Sequence, residues 1–394
     1  MIIPVTMTAL IAELKNIGVH PASYEIFKNR SAIVPLKVYN VRMPAANIIK
    51  QEMLSSGADC AVNANCITGK VDYTDVLLLG TVKHYHELIK KLEVMTFFGI
   101  PNISKQLLAY LEFSAPSTVL ADGRVLDYKK MCVMGIMNMT PDSFFVGSRQ
   151  DSIDKALLTA ETMLQAGAQI LDIGGESTRP GAQAVKDEEE QKRILPVIEA
   201  IKQKLPQSII SVDTYNPTTM QRAIDCGADI INDITGASNP LMVEIAVKNN
   251  VPIIVMHMQG TPQTMQEKPQ YTDVVKEVAE FLQQRRDELL QQGIEKQKII
   301  IDPGIGFGKT VEHNLVLMNR LTELTGMGLP VLLATSRKKT IGDVLGGLPA
   351  EERLEGTIAL SCQAVTQGVQ MVRVHDVKEN VRAIRMLEAV RECL

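Results

Sequence analysis

Eight short apolar runs recur along the last two thirds of this chain, each followed by a loop and an amphipathic stretch, with polar residues gathered at their C-terminal ends. They are Cys132–Met139, Gln169–Gly174, Ser208–Asp213, Asp229–Asp233, Pro252–His257, Lys298–Asp302, Pro330–Thr335 and Val369–Val374. Rich in Ile, Val and Leu and lacking apolar–polar alternation, they suit strands buried on both faces. The segments between them carry helical spacing. Between 271 and 292, Val274, Val278, Phe281, Leu282 and Leu289 recur at that period, and Gly293 ends the pattern. Eight strand–helix units over 131–394 match a (β/α)8 barrel, which typically takes about 250 residues. An open doubly wound sheet is the competing arrangement, but eight similar units favour closure. The predicted class is α/β: a (β/α)8 TIM barrel over 131–394, preceded by a small domain.

Residues 113–130 read as the boundary. Ser114–Ser117 form a linker, and Thr118–Tyr128 form a hairpin turned at Asp122-Gly123 that would plug the bottom of the barrel. In 1–112, helical patterns at Thr8–Asn16, Ala45–Ser55 and His84–Leu92 alternate with apolar runs at Ile33–Val41 and Asp75–Gly80. This predicts a small α/β or α+β domain, with no role assigned. Gln259–Gln270 reads as a long loop on the active face.

Bulk properties exclude several classes. A net charge of −4 over 394 residues gives no electrostatic hold on nucleic acid or an anionic membrane. Aromatics at 4% with no Trp disfavour base stacking. The six cysteines (60, 66, 132, 226, 362 and 393) form no C-x-x-C pair and read as reduced thiols of a cytoplasmic protein. The N-terminus makes a poor signal peptide, because no basic residue precedes its apolar run. No uninterrupted apolar stretch reaches the ~18 residues of a membrane span.

The chemistry is concentrated where the runs end. Asp302-Pro-Gly-Ile-Gly-Phe-Gly-Lys-Thr310 resembles a phosphate loop, but that motif needs four residues between its first glycine and Gly-Lys-Thr. The required first glycine falls at Pro303, so a nucleotide-triphosphatase is rejected. In a β/α barrel the C-terminal strand ends converge on one mouth. Here they supply Asn138, Asp172, Asp213, Asn232, Met256, His257, Asp302, Phe307, Ser336, Lys338, Arg373 and His375. Three carboxylates at interior level, Asp172, Asp213 and Asp302, are costly unless paired or bound to ligand.

Taken together these residues resemble dihydropteroate synthase. The matching motifs are Gly135-Ile-Met-Asn-Met-Thr-Pro-Asp-Ser-Phe144, Asp172-Ile-Gly-Gly-Glu-Ser-Thr-Arg-Pro-Gly181, Ser211-Val-Asp-Thr-Tyr215 and Ile231-Asn-Asp-Ile234. Met256-His-Met-Gln-Gly260, Asp302–Lys309, Ser336-Arg-Lys338 and Arg373-Val-His-Asp376 complete the set. Each is weak alone; eight in register are specific, and they cover about 131–394.

The resemblance implies a Mg²⁺-using transferase of folate biosynthesis. It would join 6-hydroxymethyl-7,8-dihydropterin pyrophosphate to p-aminobenzoate. It implies a pterin slot of Asp213, Asn232, Asp302 and Asp172, flanked by Lys338 and Arg373 and walled by Met256 and Phe307. Asn138, Arg373 and His375 would form the pyrophosphate site, with Asn138 also a metal ligand. Thr178, Arg179, Ser336 and Phe144 would form the p-aminobenzoate pocket. Lys338, Arg373, Asn138 and His375 are the catalytic candidates, and a homodimer is implied.

One departure stands out. The family's first loop continues Ser-Phe-Ser-Asp-Gly-Gly, whereas this chain reads Ser143-Phe-Phe-Val-Gly-Ser148, so Val146 replaces an aspartate. Two other functions share the slot: a pterin-binding methyltransferase, and a non-catalytic pterin-binding paralogue. Blander roles also exist. Asp213 and Asn232 would cap helices, Arg179 would be a solvated loop charge, and His84-x-His86 would sit at an exposed helix start. His257 reads as a packed, hydrogen-bonded histidine and is not assigned to catalysis.

Overall fold

The computed structural model describes residues 6–112, 115–139, 149–176, 185–261 and 264–393. The chain divides into two units, Met1–Ser114 with Cys393–Leu394, and Ala115–Glu392.

In the first unit an antiparallel sheet runs in the order β1 (Val34–Arg42), β3 (Tyr73–Gly80), β2 (Asp59–Ala61). Antiparallel pairing makes this an α+β unit. Alternate residues of β3, among them Val76 and Leu78, turn to one face and pack with Ile49 and Met53 of helix Met43–Ser55. Tyr85, Leu88 and Leu92 of helix Val82–Leu92 and Ile103 and Leu107 of helix Ile100–Leu111 complete that core. Helices Tyr24–Ser31 and Ile100–Leu111, the three-residue β2 and the 3-10 turns Pro21–Ser23 and Ala64–Cys66 went unread in the sequence. The second helix opens on a proline in its first turn, at Pro101, where a missing N–H costs nothing.

In the second unit, β4 (Thr118–Val119) and β5 (Val125–Leu126) pair as a hairpin, with Gly123 at φ +88° in its turn. The next strands are β6 (Cys132–Asn138), β7 (Ile170–Gly174), β8 (Ile209–Asp213), β9 (Ile230–Asp233), β10 (Ile253–Met256), β11 (Ile299–Asp302), β12 (Leu332–Leu333) and β13 (Met371–Val374). They form one parallel sheet in the order β11-β10-β9-β8-β7-β6-β13-β12, and a bridge between Ile301 and Val331 joins its two ends into a barrel. Each strand is followed by a helix, from Arg149–Gln165 after β6 to Val377–Glu392 after β13. The expected run Pro330–Thr335 forms a ladder over only Leu332–Leu333. The chain leaves the sheet at once to enter the turn of Ser336–Lys338, whose middle residue Arg337 has φ +55°.

Strand periodicity then locates the site. Successive side chains of a strand point to opposite faces. Leu171, Ile173, Val212, Ile231, Val255, Ile301 and Val372 point outward into the core shared with the helices. Met134, Ile170, Ile230, Ile254, Ile300, Leu332 and Met371 point inward and pack with Leu120 and Leu126 of the hairpin, which closes the lower end. Two residues further along, the inward positions hold Asp172, Asn232, Asp302 and Arg373, and after Met134, Ile254 and Leu332 they hold Ile136, Met256 and Ala334. The same alternation that builds a dry lower layer thus places polar groups at the mouth.

Candidate active site

At the mouth, Arg373 ties two carboxylates together. Its Nε donates to Asp172 Oδ2 at 2.5 Å, and its Nη2 donates to Asp213 Oδ2 at 2.7 Å. Asn232 Nδ2 donates to both oxygens of Asp172, at 3.2 and 3.3 Å. Asp172 is fully buried, so two charge-assisted donors compensate its desolvation. Asp213 is less well served. Its Oδ1 is buried and has no hydrogen-bond partner among the described residues. Burial pushes its pKa up to about 7, against the pull of Arg373. A buried acceptor left unpaired costs about 1–3 kcal/mol, a cost that Asp213 Oδ1 carries among the described residues.

The helix-cap alternative fails for both polar residues. Helix Pro217–Asp225 is capped by Asn216, which accepts from Thr218 N at 3.0 Å. Helix Pro240–Asn249 is capped by Asn239, which accepts from Leu241 N at 3.1 Å. Asp213 and Asn232 stay free to face the mouth.

A second group surrounds Asp302, whose Oδ1 accepts from Gly304 N at 2.7 Å. Burial raises its pKa, opposed first by Lys338. Lys338 Nζ donates to the carbonyl of Ile305 and stands 4.7 Å from the centroid of the Phe307 ring. Burial pulls the Lys338 pKa down to about 8, with Asp302 the first group opposing. Phe307 and Met256 pack with Ile234 and Met265, an apolar wall beside the carboxylates. Met265 was missed in the sequence. It sits in the long loop after β10 with no periodic signal, and only the fold brings it to Phe307.

Ser336 and His375 meet directly: Ser336 Oγ lies 3.0 Å from His375 Nδ1 and accepts from His375 N at 3.1 Å. The left-handed backbone of Arg337 is held between them by neighbours. Its guanidinium grips Asp376 at 2.9 and 2.6 Å, its N donates to Thr357 Oγ1 at 3.1 Å, and its carbonyl accepts from Arg353 at 2.9 Å. Such backbone persists only when its surroundings over-determine it, and here it directs Ser336 and Lys338 to the mouth. Asn138 closes β6, half-buried, beside Gly174 in the ladder. His257 is packed, as read: its Nδ1 lies 2.9 Å from Lys309 Nζ. His84 accepts from Thr81 N at 3.2 Å at its helix start. Phe144, Val146, Thr178 and Arg179 lie outside the described residues.

A family model described as pterin binding enzyme matches residues 134–375. Dihydropteroate synthase of Escherichia coli strain K12 is 46% identical over 271 residues, covering 69% of this chain and 95% of its own length.

The chain belongs to the dihydropteroate synthase family.

A crystal structure of Burkholderia cenocepacia dihydropteroate synthase complexed with 7,8-dihydropteroate is 39% identical to this family member, with a TM-score of 0.64, covering 70% of this chain and 97% of that one. A probable bifunctional folylpolyglutamate synthase/dihydropteroate synthase of Haloferax volcanii is 36% identical over 364 residues. That match covers 89% of this chain, so it reaches well into the N-terminal unit, and 43% of the relative.

Proposed function

We propose that this barrel condenses 6-hydroxymethyl-7,8-dihydropterin pyrophosphate with p-aminobenzoate, giving 7,8-dihydropteroate and pyrophosphate. The observation that carries the assignment of its site is the buried Oδ1 of Asp213, unpartnered among the described residues, on a carboxylate that Arg373 joins to the Asn232–Asp172 pair. A pterin edge presents amide and amino N–H groups that this oxygen would accept. Asn232 and Asp302 would take the remaining edge, while Met256 and Phe307 wall the ring. A site built to pair N–H groups rejects rings lacking them strongly.

In the reaction the pterin methylene–oxygen bond breaks and the oxygen leaves with the pyrophosphate. The amine nitrogen of p-aminobenzoate bonds to the methylene carbon and gives up a proton to solvent. Arg373, Asn138 and His375 would hold the departing anion, where each preorganised donor is worth roughly 10²–10³ in rate. Lys338, set over Phe307, would flank the ring. Ser336, held by His375, would contact p-aminobenzoate together with Thr178, Arg179 and Phe144. No strong base is required, in keeping with a mouth whose Asp172 and Asp213 are both tied to Arg373.

Among the described residues no cluster of three His, Cys, Asp or Glu suits a metal ion. Mg²⁺ commonly keeps several waters and is held through substrate phosphates and one or two protein oxygens. The Asn138 amide oxygen fits that donor set, and the ion would share the charge of the departing pyrophosphate. No helix among the described residues is long and apolar enough to cross a membrane. A cytoplasmic homodimer is part of this reading, resting on the family resemblance and on six free cysteines.

Calorimetry tests the slot. The dihydropterin pyrophosphate should bind the wild-type protein and lose most of its affinity in Asp213→Asn, while inorganic pyrophosphate binds both equally. Equal pterin affinity in the two proteins would remove Asp213 from the slot.

A further inference from the structure

Lys309 is 3% exposed, and its Nζ meets four acceptors, none of them a carboxylate. They are His257 Nδ1 at 2.9 Å, His257 O at 3.3 Å, Gly304 O at 3.0 Å and Phe307 O at 3.0 Å. Burial and the Lys309 charge push the His257 pKa down to about 3, so its ring stays neutral and can accept at Nδ1. In a phosphate-cradling loop this lysine would face the ligand. Here it faces back into its own loop, and Thr310, the residue that would bind a metal there, caps helix Val311–Asn319 by accepting from His313 N at 3.2 Å.

The loop backbone is pressed against the exit of β10, and burial there lowers the Lys309 pKa to about 7. Gly304 has φ +67°, and a Cβ there would lie 1.9 Å from His257 O; Gly308 has φ +61°, and a Cβ there would lie 2.4 Å from Gln259 O. This approach brings three carbonyl oxygens together, and the Lys309 amine joins them by hydrogen bonds. The outer rim is held separately. Gly306 N donates to Asn314 Oδ1 at 2.9 Å, Gln266 Nε2 donates to Gly306 O at 2.7 Å, and Tyr271 OH donates to Gly308 O at 2.8 Å. The inner side carries the Ile305 carbonyl and the Phe307 ring, the two groups that set Lys338.

We propose that Lys309 is a positioning residue for the transfer reaction, clamping the Gly304–Phe307 turn to His257 and so fixing the Ile305 carbonyl and Phe307 ring against which Lys338 is set. It acts through Lys338 and touches no substrate. The inference rests on the synthase reading above and adds to it a residue that reaches the site only through its neighbours.

The test compares full-length wild type, Lys309→Met, Lys309→Gln, Phe307→Leu and the double variant Lys309→Met/Phe307→Leu in the condensation assay. For a residue acting through Phe307, the kcat loss should be about 30-fold in Lys309→Met and about 10-fold in Lys309→Gln, which keeps two donors. KM for p-aminobenzoate should stay within about 3-fold, and the double variant should lose little more than the worse single one. Should Lys309→Met fail to fold, Lys309→Gln with Phe307→Leu decides in the same way. Three outcomes overturn the proposal: folded variants with kcat within about 3-fold of wild type, losses that multiply in the double variant, or failure of both lysine variants to fold, which would assign Lys309 to folding alone. An inactive wild type would instead refute the synthase reading, so the two failures are told apart.

Discussion

Arg373 Nη2 lies 2.7 Å from Asp213 Oδ2 and leaves Oδ1 of the same carboxylate buried without a hydrogen bond among the described residues. One residue read as an anion clamp therefore also sets the charge and direction of the residue read as the pterin acceptor. One oxygen of the carboxylate is satisfied by Arg373, and the other is left open in the proposed slot.

Removing the clamp should unfold more than it unbinds. Arg373→Met leaves Asp172 and Asp213 facing each other without their shared cation, and breaking a buried pair on one side costs about 3–5 kcal/mol. Urea unfolding should register that loss, together with loss of turnover. A stability change under ~1 kcal/mol would mean that Arg373 is not the group compensating these charges.

Asp213 gives a pH prediction in two parts. Its pKa rises from 3.8 to about 7 on burial. Between those values the folded state binds more protons than the unfolded one, so this group's contribution to stability is present at low pH and is lost as pH rises through about 7. Asp213→Asn lacks that dependence and should gain on wild type across the window. The ionised carboxylate accepts N–H groups more strongly than the neutral acid, so wild-type affinity for the dihydropterin pyrophosphate should weaken as pH falls below about 7. Parallel stability curves for the two proteins would contradict the first part, and pH-independent binding the second.

Lys338→Ala should lower kcat by roughly 10²–10³, the scale of one preorganised charged group, with the melting temperature nearly unchanged. Near-normal turnover would remove Lys338 from the reaction.

Gly304→Ala should cost more than backbone strain. The left-handed region alone costs an L-residue about 1–2 kcal/mol, and here the new Cβ would also meet His257 O at 1.9 Å. Gly293, at φ +95° with nothing within 4 Å, supplies the control. Gly304→Ala should lose distinctly more stability than Gly293→Ala, and kcat as well. Equal losses would show that the loop tolerates displacement from β10.

The barrel was legible because its signal is repeated: eight apolar runs without alternation leave little choice but strands covered on both faces. The mouth was legible because strand ends are where polar residues interrupt those runs, as at Asp172, Asp213 and Asp302. Pairings across the barrel were not. Arg373 and Asp172 are 201 residues apart, and only closure of the sheet brings them to 2.5 Å. Lys309 was visible as part of a glycine-rich motif, but its direction depends on Gly304 and Gly308 folding against β10. Met265 and helix Tyr24–Ser31 carry too little periodicity to be seen, whereas helix Ile100–Leu111 shows a helical period at Ile100, Ile103 and Leu107 that went unread. The left-handed Arg337 is fixed by Asp376, Arg353 and Thr357, none of them its sequence neighbours.

The most direct measurement is the condensation itself. Full-length protein is incubated with 6-hydroxymethyl-7,8-dihydropterin pyrophosphate, p-aminobenzoate and Mg²⁺, and dihydropteroate and pyrophosphate are both quantified. The two products should form in equimolar amounts, dependent on both substrates, with Val146 tolerated in the first loop. Binding of the pterin without turnover would contradict the synthase reading, pointing to a pterin-binding paralogue and making Val146→Asp the next variant.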